Sequence, residues 1–167
     1  MMSPKMEKAL NHQLVEEGYS SHLYLAMASW CEKNSLHGSA RFMYHHAEEE
    51  RAHMLKIFRY LNERNAYALV PEIKEPPHQF KSLTSVMEAT LEHERHITKA
   101  IHHLVELSQS EKDHAAFSFL QWFVLEQVEE ENVFETIMDM IRLAGTEGRG
   151  LYLIDKEIGK KTDADKK

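Results

Sequence analysis

The stretch His46-Ala47-Glu48-Glu49-Glu50-Arg51-Ala52-His53 is one half of a pattern whose other half is Glu126-Gln127-Val128-Glu129-Glu130-Glu131. Glu50 and His53 lie three residues apart, as do Gln127 and Glu130, and the two pairs are separated by 77 residues. Glu17 and Glu94 are separated by the same 77 residues, so each half of the chain reads as a single Glu followed by a pair. All six residues fall on otherwise apolar stripes with steps of three and four, the spacing that keeps residues on one helix face. The stripes are Leu10, Leu14, Glu17, Ser21, Tyr24, Ala28, Cys31; then His46, Glu50, His53, Ile57, Tyr60; then Leu83, Met87, Thr90, Glu94, Ile97, Ile101, Leu104; and last Leu120, Phe123, Gln127, Glu130, Phe134, Ile137, Ile141. The six are therefore expected to face a core. A buried carboxylate without a partner is costly or neutralises by a pKa shift, so four in one place call for cations.

The breaks between stripes give an all-α expectation: a four-helix bundle with a short fifth helix. Ser3 suits an N-cap and Pro4 the first helical position. Helices are expected over 4–34, from the turn at Ser35-Leu36-His37-Gly38 to about Asn65, over 83–108, and from an Asp113 cap to about Leu143. The segment 66–82 holds Pro71, Pro76 and Pro77 and cannot be helical. Gly145, Gly148 and Gly150 break the fourth helix. A short helix over 151–158 follows, so that one domain spans 1–159 and a polar, disordered tail spans 160–167. Glu17 and His53 are equidistant from the first turn, and Glu94 and Glu130 from the second. Each lies about 18 residues from its turn, ~27 Å along a helix. The site is thus expected at mid-bundle, with the proline-bearing segment as a crossover running the bundle's length.

Composition narrows the chemistry. A chain of 167 residues with 43% apolar content suits one domain with a sizeable core. A net charge of −7 disfavours nucleic acid as a partner and favours cations. Cys31 stands alone and reads as a core residue in a reducing compartment. No secretory signal and no apolar run of about 18 residues is visible, so the expected location is cytoplasmic, away from membranes. Carboxylates with one imidazole suit Fe or Mn rather than a cysteine-rich zinc site. The Glu50-x-x-His53 pair is that of di-iron carboxylate bundles.

On these motifs the chain resembles the ferritins, and most closely the haem-free bacterial ferritins. Glu17-Gly18-Tyr19-Ser20-Ser21 with Tyr24, His93-Glu94, Phe119-Leu120-Gln121-Trp122 and Gly150-Leu151-Tyr152-Leu153-Ile154-Asp155-Lys156-Glu157 complete the likeness. The resemblance implies a ferroxidase that assembles as a 24-subunit shell and stores ferric mineral. It implies a first iron on Glu17, Glu50 and His53, and a second bridged by Glu50 and held by Glu94 and Glu130, with Gln127 beside it. It implies a third iron on Glu49, Glu126 and Glu129 with Glu130 shared, and a tyrosine at Tyr24 near the irons. The oxidant is expected to be dioxygen or hydrogen peroxide. Arg51 stands where haem-binding relatives carry a ligating Met, so no haem is expected. Phe117 and Leu120 replace the acidic lining of the animal three-fold channel. His45, His93, His96, His102 and His103 are expected to be surface or satisfied groups, and His46 a neighbour of the site. The competing functions are a di-iron oxidase acting on an organic substrate and a bundle that buffers metal without turnover.

Overall fold

The computed structural model describes residues 2–164 and contains five helices with no strand among them. They are α1 (Pro4–Lys33), α2 (His37–Glu63), α3 (Leu83–Ser110), α4 (His114–Ala144) and α5 (Arg149–Ala164). The helix starts follow from local chemistry. Ser3 accepts from the Met6 amide at 3.0 Å, and Asp113 accepts from the Ala116 amide at 3.0 Å. Ser82 and Ser85 form a reciprocal capping box at the start of α3. The turns out of α1, α2 and α3 each use one left-handed residue: Ser35 (φ 60°), Asn65 (φ 55°) and Lys112 (φ 56°). The short turns make α1 antiparallel to α2 and α3 antiparallel to α4.

The crossover runs along α1. The Tyr67 amide donates to Glu7, and the Leu69 amide donates to Asn11 at 2.8 Å. Farther on, Phe80 meets Trp30 edge-on with ring centres 6.0 Å apart. Between them Ile73 lies over Gly18, where an added Cβ would come within 2.7 Å of Ile73 Cδ1.

The core falls into two apolar halves. One holds Leu10, Leu14, Ile57, Leu61, Ile97, Ile101, Leu104, Leu120 and Phe123. The other holds Tyr24, Met27, Phe42, Met43, Met87, Phe134, Ile137 and the α5 residues Ile154 and Ile158. Glu17, Glu50, His53, Glu94, Gln127 and Glu130 are all buried and form the polar layer at mid-length.

The C-terminal segment departs from expectation. α5 continues through residue 164, where a polar tail from 160 onward was expected; residues 165–167 of that tail lie outside the described residues. Gly159 does not end the helix. It sits against Gly38, where an added Cβ would lie 2.8 Å from Gly38 Cα, so it is a packing glycine. Beyond it, Thr162 is buried and Lys160 pairs with Glu157. The same crossing caps α2, whose own N-cap position is Leu36 and supplies no side-chain bond. Asp155 instead accepts from the Gly38 amide (3.0 Å), the Ser39 amide (2.8 Å) and the Ser39 hydroxyl (2.7 Å).

Candidate metal centre

Four helices each deliver one or two polar side chains to the same layer. α1 contributes Glu17, α2 Glu50 and His53, α3 Glu94, and α4 Gln127 and Glu130. The stripe positions on which all six were read are buried, apart from Tyr60, which is half-buried.

Glu17, Glu50 and His53 bring one ligand atom each within 4.8 Å of one another, an arrangement able to hold a cation. His53 Nδ1 lies 3.5 Å from Glu50 Oε2 and 3.9 Å from Glu17 Oε2. Gln13 donates to Glu17 Oε1 at 2.9 Å, while Glu17 Oε2 is buried with no hydrogen-bond partner. Burial, followed by the charge of Glu50, pushes the Glu17 carboxyl well above the usual range. Burial and then Glu94 do the same to Glu50. Like charges are held together here at a cost that a cation removes.

Glu94 is held from two sides. Tyr24 donates its hydroxyl to Glu94 Oε1, and Gln127 Nε2 donates to Glu94 Oε2 at 3.0 Å and approaches Thr98 Oγ1 at 3.4 Å. Burial raises the Glu94 carboxyl, and the Tyr24 and Gln127 bonds oppose the rise. Tyr24 itself is held far above an ordinary phenol, first by burial and then by Glu94. Burial, outweighing the neighbouring His46 charge, lifts Glu130 to about 7.

A second cation-competent group joins Glu130 to His46 and Glu49. His46 Nδ1 lies 2.7 Å from Glu49 Oε2, and His46 Nε2 lies 3.9 Å from Glu130 Oε2. Burial works against the His46 proton, but the Glu49 bond and the Glu130 charge prevail and raise its pKa. For Glu49, burial is outweighed by His46 and then His45, and its pKa falls. Glu126 is half-buried with Oε2 4.0 Å from His53 Nε2, and Glu129 is exposed and joins neither group.

Other residues marked by the sequence take ordinary places. His93 is bonded to Ser20 at 2.8 Å and pushed down to about 4 by burial. His96 pairs with Glu16 at 3.0 Å; His102 and His103 are exposed. Trp122 stands edge-on to His53 at 5.2 Å with Lys56 Nζ 4.0 Å over its ring. Together with Arg59 and Phe119 they line an open pocket of about 430 Å³. Gln13 was not singled out from the sequence. Its signal was a polar residue one turn before Glu17, beside the stripe rather than on it.

A four-helix bundle with a buried carboxylate and histidine layer defines a metal-handling bundle of the ferritin-like class. The ferritin family, described as a ferritin-like domain, matches residues 7–144. A probable bacterial non-heme ferritin-like protein of Haemophilus influenzae is 48% identical over 95% of this chain and 96% of its own. A bacterial non-heme ferritin of Campylobacter jejuni is also 48% identical, covering 95% of each chain. The solved open-pore ferritin of Archaeoglobus fulgidus superposes with a TM-score of 0.93 at 41% identity, over 95% of this chain and 98% of that one. The chain belongs to the ferritin family, in its bacterial non-haem group. No helix among the described residues is long and apolar enough to cross a membrane.

Proposed function

We propose that the protein is a cytoplasmic iron-storage ferritin with ferroxidase activity and no haem. Two Fe(II) bind as substrate in the polar layer. Glu17, Glu50 and His53 hold the first. Glu50 reaches across to the second, which Glu94 and Glu130 hold, with Gln127 and Tyr24 fixing the Glu94 carboxylate. Each Fe(II) gives up one electron. The two electrons, with two protons in either case, reduce one dioxygen to hydrogen peroxide or one hydrogen peroxide to two waters. The carboxylates stabilise the higher charge of Fe(III), which passes to a mineral inside a shell of 24 copies. Glu49, Glu126 and Glu129, with Glu130, form an accessory third position at the edge of the layer.

The observation that supports this best is the Glu17–Glu50–His53 group at the bundle centre, three buried residues with one ligand atom each within 4.8 Å of one another. Two buried carboxylates beside an imidazole make a donor set that suits a hard or borderline cation. Size-exclusion chromatography with light scattering, before and after aerobic Fe(II) loading, tests the proposal. A large shell that oxidises Fe(II) and gains an electron-dense core is expected. A small oligomer, or a shell that binds Fe(II) without oxidising it, would refute it, the latter pointing to metal buffering.

A further inference from the structure

We propose that His46 is a second histidine ligand of the centre, binding metal through Nε2 together with Glu130, while Glu49 holds the imidazole in place from behind. The proposal rests on the metal-binding role assigned to the polar layer above. It adds a nitrogen donor on the α4 side, where the sequence offers only oxygen.

Three observations meet at this residue. First, His46 Nε2 is buried and makes no hydrogen bond, on a residue only 5% exposed, and it faces Glu130. A buried polar atom without a hydrogen bond requires an explanation, and a cation shared with Glu130 would supply one. Second, the far nitrogen is engaged: Nδ1 stands 2.7 Å from Glu49 Oε2. Ligand histidines almost always give their other ring N–H to a carboxylate, a backbone carbonyl or water, which fixes the tautomer and aims the lone pair. In the neutral tautomer that donates Nδ1–H to Glu49, the lone pair is on Nε2; because Glu49 and Glu130 raise the His46 pKa, a metal binding there displaces a proton. Third, a carboxylate stands close by. His46 Nε2 and Glu130 Oε2 are 3.9 Å apart, too far for a hydrogen bond. Two tetrahedral donors each about 2.1 Å from one metal are about 3.4 Å apart, so a small closure of this pair would let both bind one cation.

The imidazole has little freedom to turn elsewhere. Its ring centre lies 4.2 Å from Phe42 and 5.1 Å from Phe134, both close to edge-on. The phenylalanines are 1% and 0% exposed, so the slot is rigid. A carboxylate behind, a fixed ring and an open lone pair are the parts of an oriented metal ligand. The other oxygen of Glu49, Oε1, lies 3.3 Å from His45 Nε2.

The consequence is a centre with one imidazole on each side, His53 for the Glu17–Glu50 position and His46 for the Glu130 position. The inequality that His53 alone would impose on a nitrogen-seeking metal is thereby reduced.

Zn(II) is the probe, because it binds without turnover. Chelator-stripped, fully assembled protein is titrated with Zn(II) by calorimetry and crystallised for anomalous scattering. His46→Phe keeps the ring volume between Phe42 and Phe134 and removes both nitrogens; Glu49→Gln keeps an acceptor but removes the charge. The wild type is expected to show zinc at Glu17–Glu50–His53 and a second zinc with His46 Nε2 and Glu130 both about 2.1 Å away. His46→Phe should keep the first zinc and weaken the second by about tenfold or more, and Glu49→Gln should weaken it less. Zinc at Glu130 with His46 Nε2 outside bonding distance, no zinc at Glu130, or an unchanged second affinity in His46→Phe would each overturn the proposal. Should that variant fail to assemble, the wild-type anomalous map decides alone. Zinc absent from both positions would instead refute the metal centre under "Proposed function".

Discussion

Glu130 lets the tension among the buried carboxylates be measured with one substitution. Glu130 is buried and its carboxyl is pushed up to about 7, chiefly because burial disfavours the charged form. The unfolded chain should titrate near the ordinary value of 4.5. The folded protein therefore holds this proton more tightly than the unfolded chain. Below pH 4.5 the group is protonated in both states and costs nothing. As pH rises through 4.5 the unfolded state ionises first and folding loses free energy, until the loss is complete above about pH 7. At 1.36 kcal/mol per pKa unit, the displacement corresponds to about 3 kcal/mol. For a chain of this size that is about 6–12 °C in Tm. Glu130→Gln keeps the shape and abolishes the titration. Calorimetry of chelator-stripped wild type and variant at several values between pH 4 and pH 8 should show the variant gaining on the wild type by that amount, with most of the gain between pH 5 and pH 7. Parallel Tm curves would refute the assignment of a strained, buried carboxyl at this position.

Glu50→Leu keeps the α2 stripe apolar while removing a charge that Glu94 and Glu130 repel. The metal-free variant should melt at or above wild type, yet show a much smaller upward shift with Zn(II) and no rapid Fe(II) oxidation in an intact shell; a clearly lower metal-free Tm would make Glu50 structural. Asp155→Ala removes the bonds to Gly38 and Ser39 and should cost about 1–2 kcal/mol, or roughly 2–8 °C in Tm, with no loss of the first Fe(II) oxidation; an unchanged Tm would show that α2 needs no cap from α5.

The placement of the candidate site was largely legible because each of its polar residues interrupts a stripe that must be buried for other reasons. Leu14 and Tyr24 place Glu17 in the core before any metal is invoked, and Ile97 and Ile101 do the same for Glu94. The 77-residue offset then relates two antiparallel helix pairs, so spacing alone predicts which residues are level. Legibility failed where a side chain's role depends on direction. His46 was on the stripe, but the aim of Nε2 is set by Phe42, Phe134 and Glu49 together. Gln13 lay one position off the stripe, and its bond to Glu17 depends on side-chain direction along α1. The length of α5 was hidden for a different reason. Gly159 carries the local signature of a stop, and only its approach to Gly38, far away in sequence, shows a close helix crossing.

The bonds from Asp155 also turn two amides into reporters. Gly38 and Ser39 stand at the start of the helix that carries Glu50 and His53, and their N–H groups are covered only while α5 is docked. Their deuterium uptake therefore times the undocking of α5 at residues on α2 itself, while amides in the middle of α2 time the opening of the bundle. One exchange experiment on the assembled protein thus separates motion of the last helix from motion of the metal-bearing scaffold.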